Sequence, residues 1–323
     1  MNSTNIEPLR LEIAMDDYLH TQALFDGRVG IDGVAPVHIK LPLPQIFARF
    51  LSGTPWDAAE MSLGKLVALR SRGETDFITL PVFPHRVFRH AAFFVRKGNP
   101  LRVEQLSGAR IGVPDWTLTA AIYARALLTH RYGIPLDRIE WIQAGVDAPR
   151  RASPTDALPA GVMLRESSEA TLLQMLHDGE IDVMIAPHVP AFAIEHGIVE
   201  SMFEDYAERD AAYWRETGIF PIMHAVVLRK KVETQRPGTA AALMRAFDDA
   251  LKETVTRLAD PAESATPLPF VAAHIRDLNQ SQNSRDLWHY GIDANRATLS
   301  AFLDYCHEQG VSSRRLTLEE LFA

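Results

Sequence analysis

Seven basic side chains crowd the stretch from Pro81 to Arg102: His85, Arg86, Arg89, His90, Arg96, Lys97 and Arg102. No Asp or Glu occurs from Phe77 to Val103, although the chain as a whole carries a net charge of -8. Charge of one sign, concentrated against the overall balance, attracts an anion. Arg86 and Arg89 offer planar forks that match a carboxylate bidentately. His90 adds a group able to hold or release a proton near neutral pH. The competing reading is a solvated basic loop ahead of an ordinary strand. Elsewhere, Asp17 follows a first strand, where α/β proteins place ligand contacts. Glu60 lies just ahead of Ser62, which suits a helix N-cap. Thr117 and Thr119 open a helix whose free N–H groups could face an anion, although capping alone would explain them. His224 follows a second Phe-Pro turn at Phe220-Pro221, echoing Phe83-Pro84 ahead of His90.

The elements that must position these groups are bounded by length and composition. At 323 residues the chain suits one or two domains, and its 47% hydrophobic and 23% charged content is ordinary for a globular protein. A lone cysteine, Cys306, excludes an intrachain disulfide and a thiolate metal cage. Met1 to Glu12 has no basic then apolar leader pattern, and no run approaches the roughly 18 apolar residues of a membrane span, so a soluble cytoplasmic protein is expected. An acidic chain without aromatic-interleaved basic stripes is a poor nucleic-acid binder. Self-association into a homo-oligomer is left open.

Apolar alternation marks strands at Leu9 to Met15, Val37 to Lys40, Phe77 to Val82 and Phe88 to Val95, with a helix from Leu63. The pattern then restarts: strands at Ala109 to Val113, Ile139 to Gln143 and Ile181 to Ala186 alternate with helices to about Tyr132, at Ser168 to His177 and at Glu204 to Glu216. Ala144 to Gly161, with Arg150-Arg151 and three prolines, reads as a flap or an insertion. A strand from Ala225 to Leu228 and helices at Pro237 to Leu258, Phe270 to Asn279 and Asn295 to Gln309 close the chain. The expected architecture is two α/β lobes with a ligand cleft between them. Residues 1–95 and 222–323 would form the first lobe and 96–221 the second, linked by strands near Arg89 to Val95 and Met223 to Leu228.

This layout resembles the type 2 periplasmic-binding-protein fold. More specifically, the sequence resembles the 4,5-dihydroxyphthalate decarboxylase family. The likeness rests on Met15-Asp-Asp-Tyr18, Asp57-Ala-Ala-Glu-Met-Ser62, Pro81-Val-Phe-Pro-His-Arg-Val-Phe-Arg-His90 and Gly112-Val-Pro-Asp-Trp-Thr-Leu-Thr-Ala-Ala121. Gly179-Glu-Ile-Asp-Val-Met-Ile-Ala-Pro187, Thr217-Gly-Ile-Phe-Pro-Ile-Met-His224 and Trp288-His-Tyr-Gly291 extend it. Leu19 and His20 stand where the family favours an acid and an arginine, which bears on substrate choice.

The resemblance implies loss of one carboxylate from 4,5-dihydroxyphthalate to give protocatechuate, without a cofactor. Arg86 and Arg89 would then clamp the retained carboxylate. Ser62, Trp116, Thr117, Thr119 and Phe220 would line the rest of the substrate. A general acid near the ring would be His90 or His224, and the base Glu60 or Asp17. Two other classes remain in view. One is an aromatic-acid-binding module with the same fold and no chemistry. The other is a metal-assisted decarboxylase using Glu60, His90, His188 and His224, for which no H-x-x-x-H spacing occurs.

Overall fold

The computed structural model describes residues 8–73, 76–99, 101–150, 157–263, 265–280 and 288–323. Its strands are β1 (Leu9–Ala14), β2 (Val34–Ile39), β3 (Ala58–Ser62), β4 (Phe77–Leu80), β5 (Phe93–Arg96), β6 (Arg110–Val113), β7 (Glu140–Gln143), β8 (Met163–Glu166), β9 (Val183–Ile185), β10 (Val199–Ser201) and β11 (His224–Arg229). They form a five-stranded sheet in the order β2-β1-β3-β11-β4 and a six-stranded sheet in the order β10-β5-β9-β6-β7-β8. Each is mixed. β1 runs parallel to β2 and β3, and β11 is antiparallel to β3 and β4. In the second sheet β6, β7, β8 and β9 run parallel, and β5 is antiparallel to β9 and β10. Parallel strands need crossover helices on the sheet faces, which explains their apolar, unalternating runs such as Val183 to Ala186.

The expected crossing strands are corrected. Phe88 to His90 is not strand: a 3-10 turn at His90–Ala92 precedes β5, which belongs to the second sheet. Residues 93–95 therefore sit in the sheet of the second lobe, and β5 does not pair with β11. The chain crosses between sheets earlier, where Phe83-Pro84 meets Pro221. Arg86 and Ile222 form an isolated antiparallel bridge. The Met223 N–H donates to the His85 carbonyl at 2.8 Å, and the Val87 N–H to the Pro221 carbonyl at 3.2 Å. Proline lacks an N–H and cannot extend a ladder, so each Phe-Pro pair limits the bridge to a few residues. Of the expected loop, Arg151 and Pro154 lie outside the described residues. Near its start the Gly145 and Val146 carbonyls accept from the Leu172 and Leu173 N–H groups, which lie beyond it.

The helix Leu63–Ser71 starts where β3 ends, and the helix Thr119–Ala126 starts just after β6. Their N-terminal turns meet between the sheets. The C-terminal helix Arg296–Glu308 packs on both of them. One apolar cluster accordingly runs from β3 and β11 (Ala59, Met61, Ala225, Val227) through Tyr123 and Phe302 to β6 and β7 (Ile111, Trp141).

Candidate active site

Glu60 occupies the middle of β3, a strand whose five residues are all buried. In the β3–β11 register Glu60 pairs with Val226 and Ser62 with His224, so Glu60 and His224 are diagonal neighbours on one face of the sheet. The Glu60 carboxylate is fully buried, and an unpartnered charge there would be prohibitive. Its partners are supplied locally. Oε2 accepts from the Asp16 N–H at 3.1 Å, and Oε1 accepts from the Tyr18 hydroxyl at 2.7 Å. His224 Nδ1 lies 2.6 Å from Oε1. The loop after β1 thus supplies two donors, which is why β1 must end beside β3. Burial, and then the Glu60 carboxylate, makes the Tyr18 hydroxyl much less acidic than an ordinary tyrosine, so it stays a donor.

His85 completes the group. Its Nδ1 is 3.3 Å from His224 Nδ1, and the two rings meet edge to face at 4.7 Å between centroids. Burial foremost, and then the neighbouring His224, pushes the His85 imidazole down to about 4, leaving it neutral at pH 7. His20 stands beside it: burial also brings this ring down to about 4, against the pull of Glu60. The His20 ring packs 4.8 Å from Trp288 and 5.5 Å from Tyr18, and Phe47 presents its edge to His224 at 5.1 Å. These rings form an aromatic surround for the imidazoles. The His224 side chain keeps 11% of its exposure, and with Nδ1 committed to Glu60 the atom left for a ligand is Nε2.

Arg89 reaches the same region from the crossing segment. Its Nε donates to Met223 Sδ at 3.1 Å, and its charge acts on His85. Among the described residues no carboxylate pairs with it within ion-pair distance, although Asp210 exerts a longer-range pull. Burial lowers its guanidinium to about 10, which still leaves it charged at neutral pH. A buried cation lacking a carboxylate is poised to take one from a ligand.

The other expected residues fall elsewhere. Arg86 spends its donors on the Asn295 side chain and the Phe220 carbonyl, both at 2.8 Å, with its guanidinium over the Phe220 ring. It fastens the crossing to the C-terminal segment. His90 Nδ1 meets Asp210 Oδ1 at 2.5 Å, enclosed by Phe203, Tyr132 and Tyr213, so it ties the crossing to the helix Tyr206–Thr217 instead of joining Glu60. Asp17 is exposed and bonds Lys40 at 2.6 Å, which holds its carboxyl below the usual range. His188 is exposed. Trp116 is fully buried, with its indole N–H on the Gln309 carbonyl, and Thr117 bonds Asp115. Ser62 and Thr119 join hydroxyls at 2.9 Å across the two helix N-termini, and Thr119 Oγ1 also accepts from the Gly64 N–H. Phe220 stacks on Phe88 at 4.9 Å and packs near Trp288.

Sequence reasoning named Glu60 and His224 as candidates beside Asp17 and His90 without pairing them, and it did not single out His85 or Tyr18 as site residues. The available signal for His85 was its place between Pro84 and Arg86, where the turn aims it across the bridge toward Met223.

Two sheets joined by short crossings define the class. The fold is that of the two-lobed solute-binding proteins, with the ligand cleft between lobes. The periplasmic aliphatic sulphonate binding protein SsuA from Escherichia coli superposes with a TM-score of 0.54 at 13% identity, covering 98% of this chain and 92% of that one. The desulfurization enzyme DSZB gives 0.53 at 14% identity, covering 97% of this chain and 96% of that one. At such identities the likeness concerns the fold. No family model matches the chain. A protein of Comamonas testosteroni named 4,5-dihydroxyphthalate decarboxylase is 36% identical over 318 residues, 97% of this chain and 96% of that one. One of the same name from Pseudomonas putida is 33% identical over 201 residues, 61% of this chain and 78% of that one. The chain belongs to the 4,5-dihydroxyphthalate decarboxylase family.

Proposed function

We propose that this chain decarboxylates 4,5-dihydroxyphthalate to protocatechuate in the cleft beside Glu60 and His224, a step of phthalate degradation in the cytoplasm. The observation that carries the reading is the buried Glu60–His224 pair, 2.6 Å apart, in a chain of this family. A carboxylate that fixes one imidazole nitrogen leaves the other oriented for proton transfer. The His224 side chain keeps 11% exposure, whereas His90, paired with Asp210, keeps 1%.

The reaction needs a proton on the ring carbon that bears the departing carboxylate. Electrons pushed from the para hydroxyl, as its proton leaves, make that carbon basic. His224 Nε2 delivers a proton to it, and the C–C bond then breaks. Carbon dioxide departs, and the bonding pair restores the aromatic ring. Arg89 holds the retained carboxylate. Glu60 does not touch substrate, since its oxygens are engaged by Asp16, Tyr18 and His224, so its part is to hold the His224 ring. His85, neutral and adjacent, is the group placed to accept the hydroxyl proton.

His224→Asn should keep ligand binding by calorimetry while kcat falls about 10²–10⁴-fold, the usual contribution of a positioned general acid. His90→Asn should mainly lower stability, because it opens the Asp210 contact. Wild-type turnover by His224→Asn would place the acid elsewhere.

A further inference from the structure

The three atoms that converge in the cleft share a property the proton-transfer reading leaves unused. One ring nitrogen each of His85 and His224 and one oxygen of Glu60 all lie within 4.8 Å of one another. Each is a lone-pair donor to a metal in its neutral imidazole or ionised carboxylate form. His224 Nδ1 faces both other groups, Glu60 Oε1 at 2.6 Å and His85 Nδ1 at 3.3 Å. A divalent cation among the three groups would draw a lone pair from each of them.

The composition of the set supports this. Two imidazoles and one carboxylate on one side of an ion leave positions open on the other, the arrangement of the facial triad. Metal-ligating groups are held by outer hydrogen bonds. Glu60 has two such bonds, from the Tyr18 hydroxyl at 2.7 Å and the Asp16 N–H at 3.1 Å. The ring set of Phe47, His20 and Trp288 shields the group from bulk water.

We infer that Glu60, His85 and His224 bind a divalent cation whose open positions take the vicinal hydroxyl pair of an aromatic substrate. This deepens the proposed function, because it rests on a dihydroxylated ring entering this cleft. It departs from the expectation of no cofactor and replaces the earlier metal set: His90 is engaged by Asp210 and His188 is exposed, and His85 takes their place. A bound cation would favour the ionised form of the hydroxyl para to the departing carboxylate, with His85 then serving as a ligand in place of the proton acceptor it is without the metal. His224, bound through Nδ1, keeps its Nε2 proton for the ring carbon.

The test begins with full-length protein dialysed against chelator and titrated with Co(II), read by visible absorption and calorimetry. Saturable single-site binding is expected, with a d–d band that shifts when protocatechuate is added but not with benzoate. Glu60→Gln and His85→Ala should each weaken Co(II) binding by more than about tenfold. Tyr18→Phe, which removes only an outer hydrogen bond, should weaken it by about 10- to 100-fold. His188→Ala should bind as wild type. Circular dichroism separates loss of ligands from loss of fold, and Tyr18→Phe carries the test if Glu60→Gln does not fold. The inference is overturned if Co(II), Zn(II) and Mn(II) show no saturable binding, if the variants bind as wild type, or if protocatechuate leaves the band unmoved. Full turnover of 4,5-dihydroxyphthalate by protein that binds no metal would overturn the cation site and leave the decarboxylase reading standing. Tight Co(II) binding without that turnover would do the reverse.

Discussion

At the scale of the residue, environment divides two arginines that look alike in sequence. Arg86 is saturated by Asn295 and the Phe220 carbonyl, whereas Arg89 has only a thioether on its Nε and no ion-pair partner among the described residues. Arg89→Lys should therefore lower kcat/KM about 10- to 100-fold, since a point charge cannot replace a bidentate fork and a charge-assisted contact is worth about 1.5–3 kcal/mol. Arg86→Lys should show its loss in unfolding midpoint. Equal kinetic effects from the two would refute the division. His20 gives a second expectation. Its folded value near 4 lies below the ordinary 6.5, so between these values the unfolded chain binds more protons. Stability from this group is fully present above about pH 6.5 and drains away toward pH 4, by up to about 3 kcal/mol. His85 acts in the same sense. Denaturant unfolding from pH 7 to 4 should lose less stability in His20→Phe than in wild type, and parallel slopes would contradict the buried, neutral His20.

At the scale of the element, the strands and long helices were legible because apolar period and turn residues agree. The helix Thr239–Ala259, expected from Pro237 to Leu258, is an example. Legibility failed where a short backbone bridge overrides local propensity. Phe88 to Val95 is aromatic and β-branched enough for one strand, yet the Arg86–Ile222 bridge and the turn at His90 break it. Glu60 and His224 were readable as candidate site residues, but their diagonal register depends on β11 running antiparallel to β3, a pairing across 164 residues that no local pattern encodes. The contact between helix N-termini was equally hidden. At Gly64 an added Cβ would meet the Thr117 carbonyl oxygen at 2.4 Å and Ile122 Cδ1 at 2.7 Å. In an isolated helix Gly64→Ala would gain about 1 kcal/mol. Here overpacking should reverse the sign and destabilise by about 1–3 kcal/mol, with reduced turnover as the adjoining Ser62 and His224 shift. A stabilised, fully active Gly64→Ala would show that the two helices do not touch in solution.

At the scale of the molecule, the C-terminal segment decides how far the lobes can part. Gln309 accepts from Arg125 Nε at 2.8 Å, donates to the Ile122 carbonyl at 3.0 Å, and receives the Trp116 indole N–H on its own carbonyl at 2.8 Å. Arg125 is fully buried, its guanidinium 3.8 Å from the Trp116 ring centroid, and burial lowers it to about 9. The helix that ends just before Gln309 also packs on Leu63–Ser71 beneath the first sheet, so one apolar cluster crosses the cleft floor. Lobes that share only a small polar interface move freely, whereas a large apolar one holds them. Lobes packed in this way are expected to open little, which suits a site where water must be kept from the ring carbon. Small-angle scattering should give a radius of gyration near 20 Å, changing by less than about 0.5 Å when protocatechuate is added. Gln309→Ala removes an acceptor from a buried charge and should cost about 2–3 kcal/mol in denaturant unfolding. The same variant should loosen the coupling, so that scattering then responds to ligand. A wild-type contraction of 1 Å or more on binding, unchanged in Gln309→Ala, would mean that the lobes hinge freely and that this segment does not restrain them.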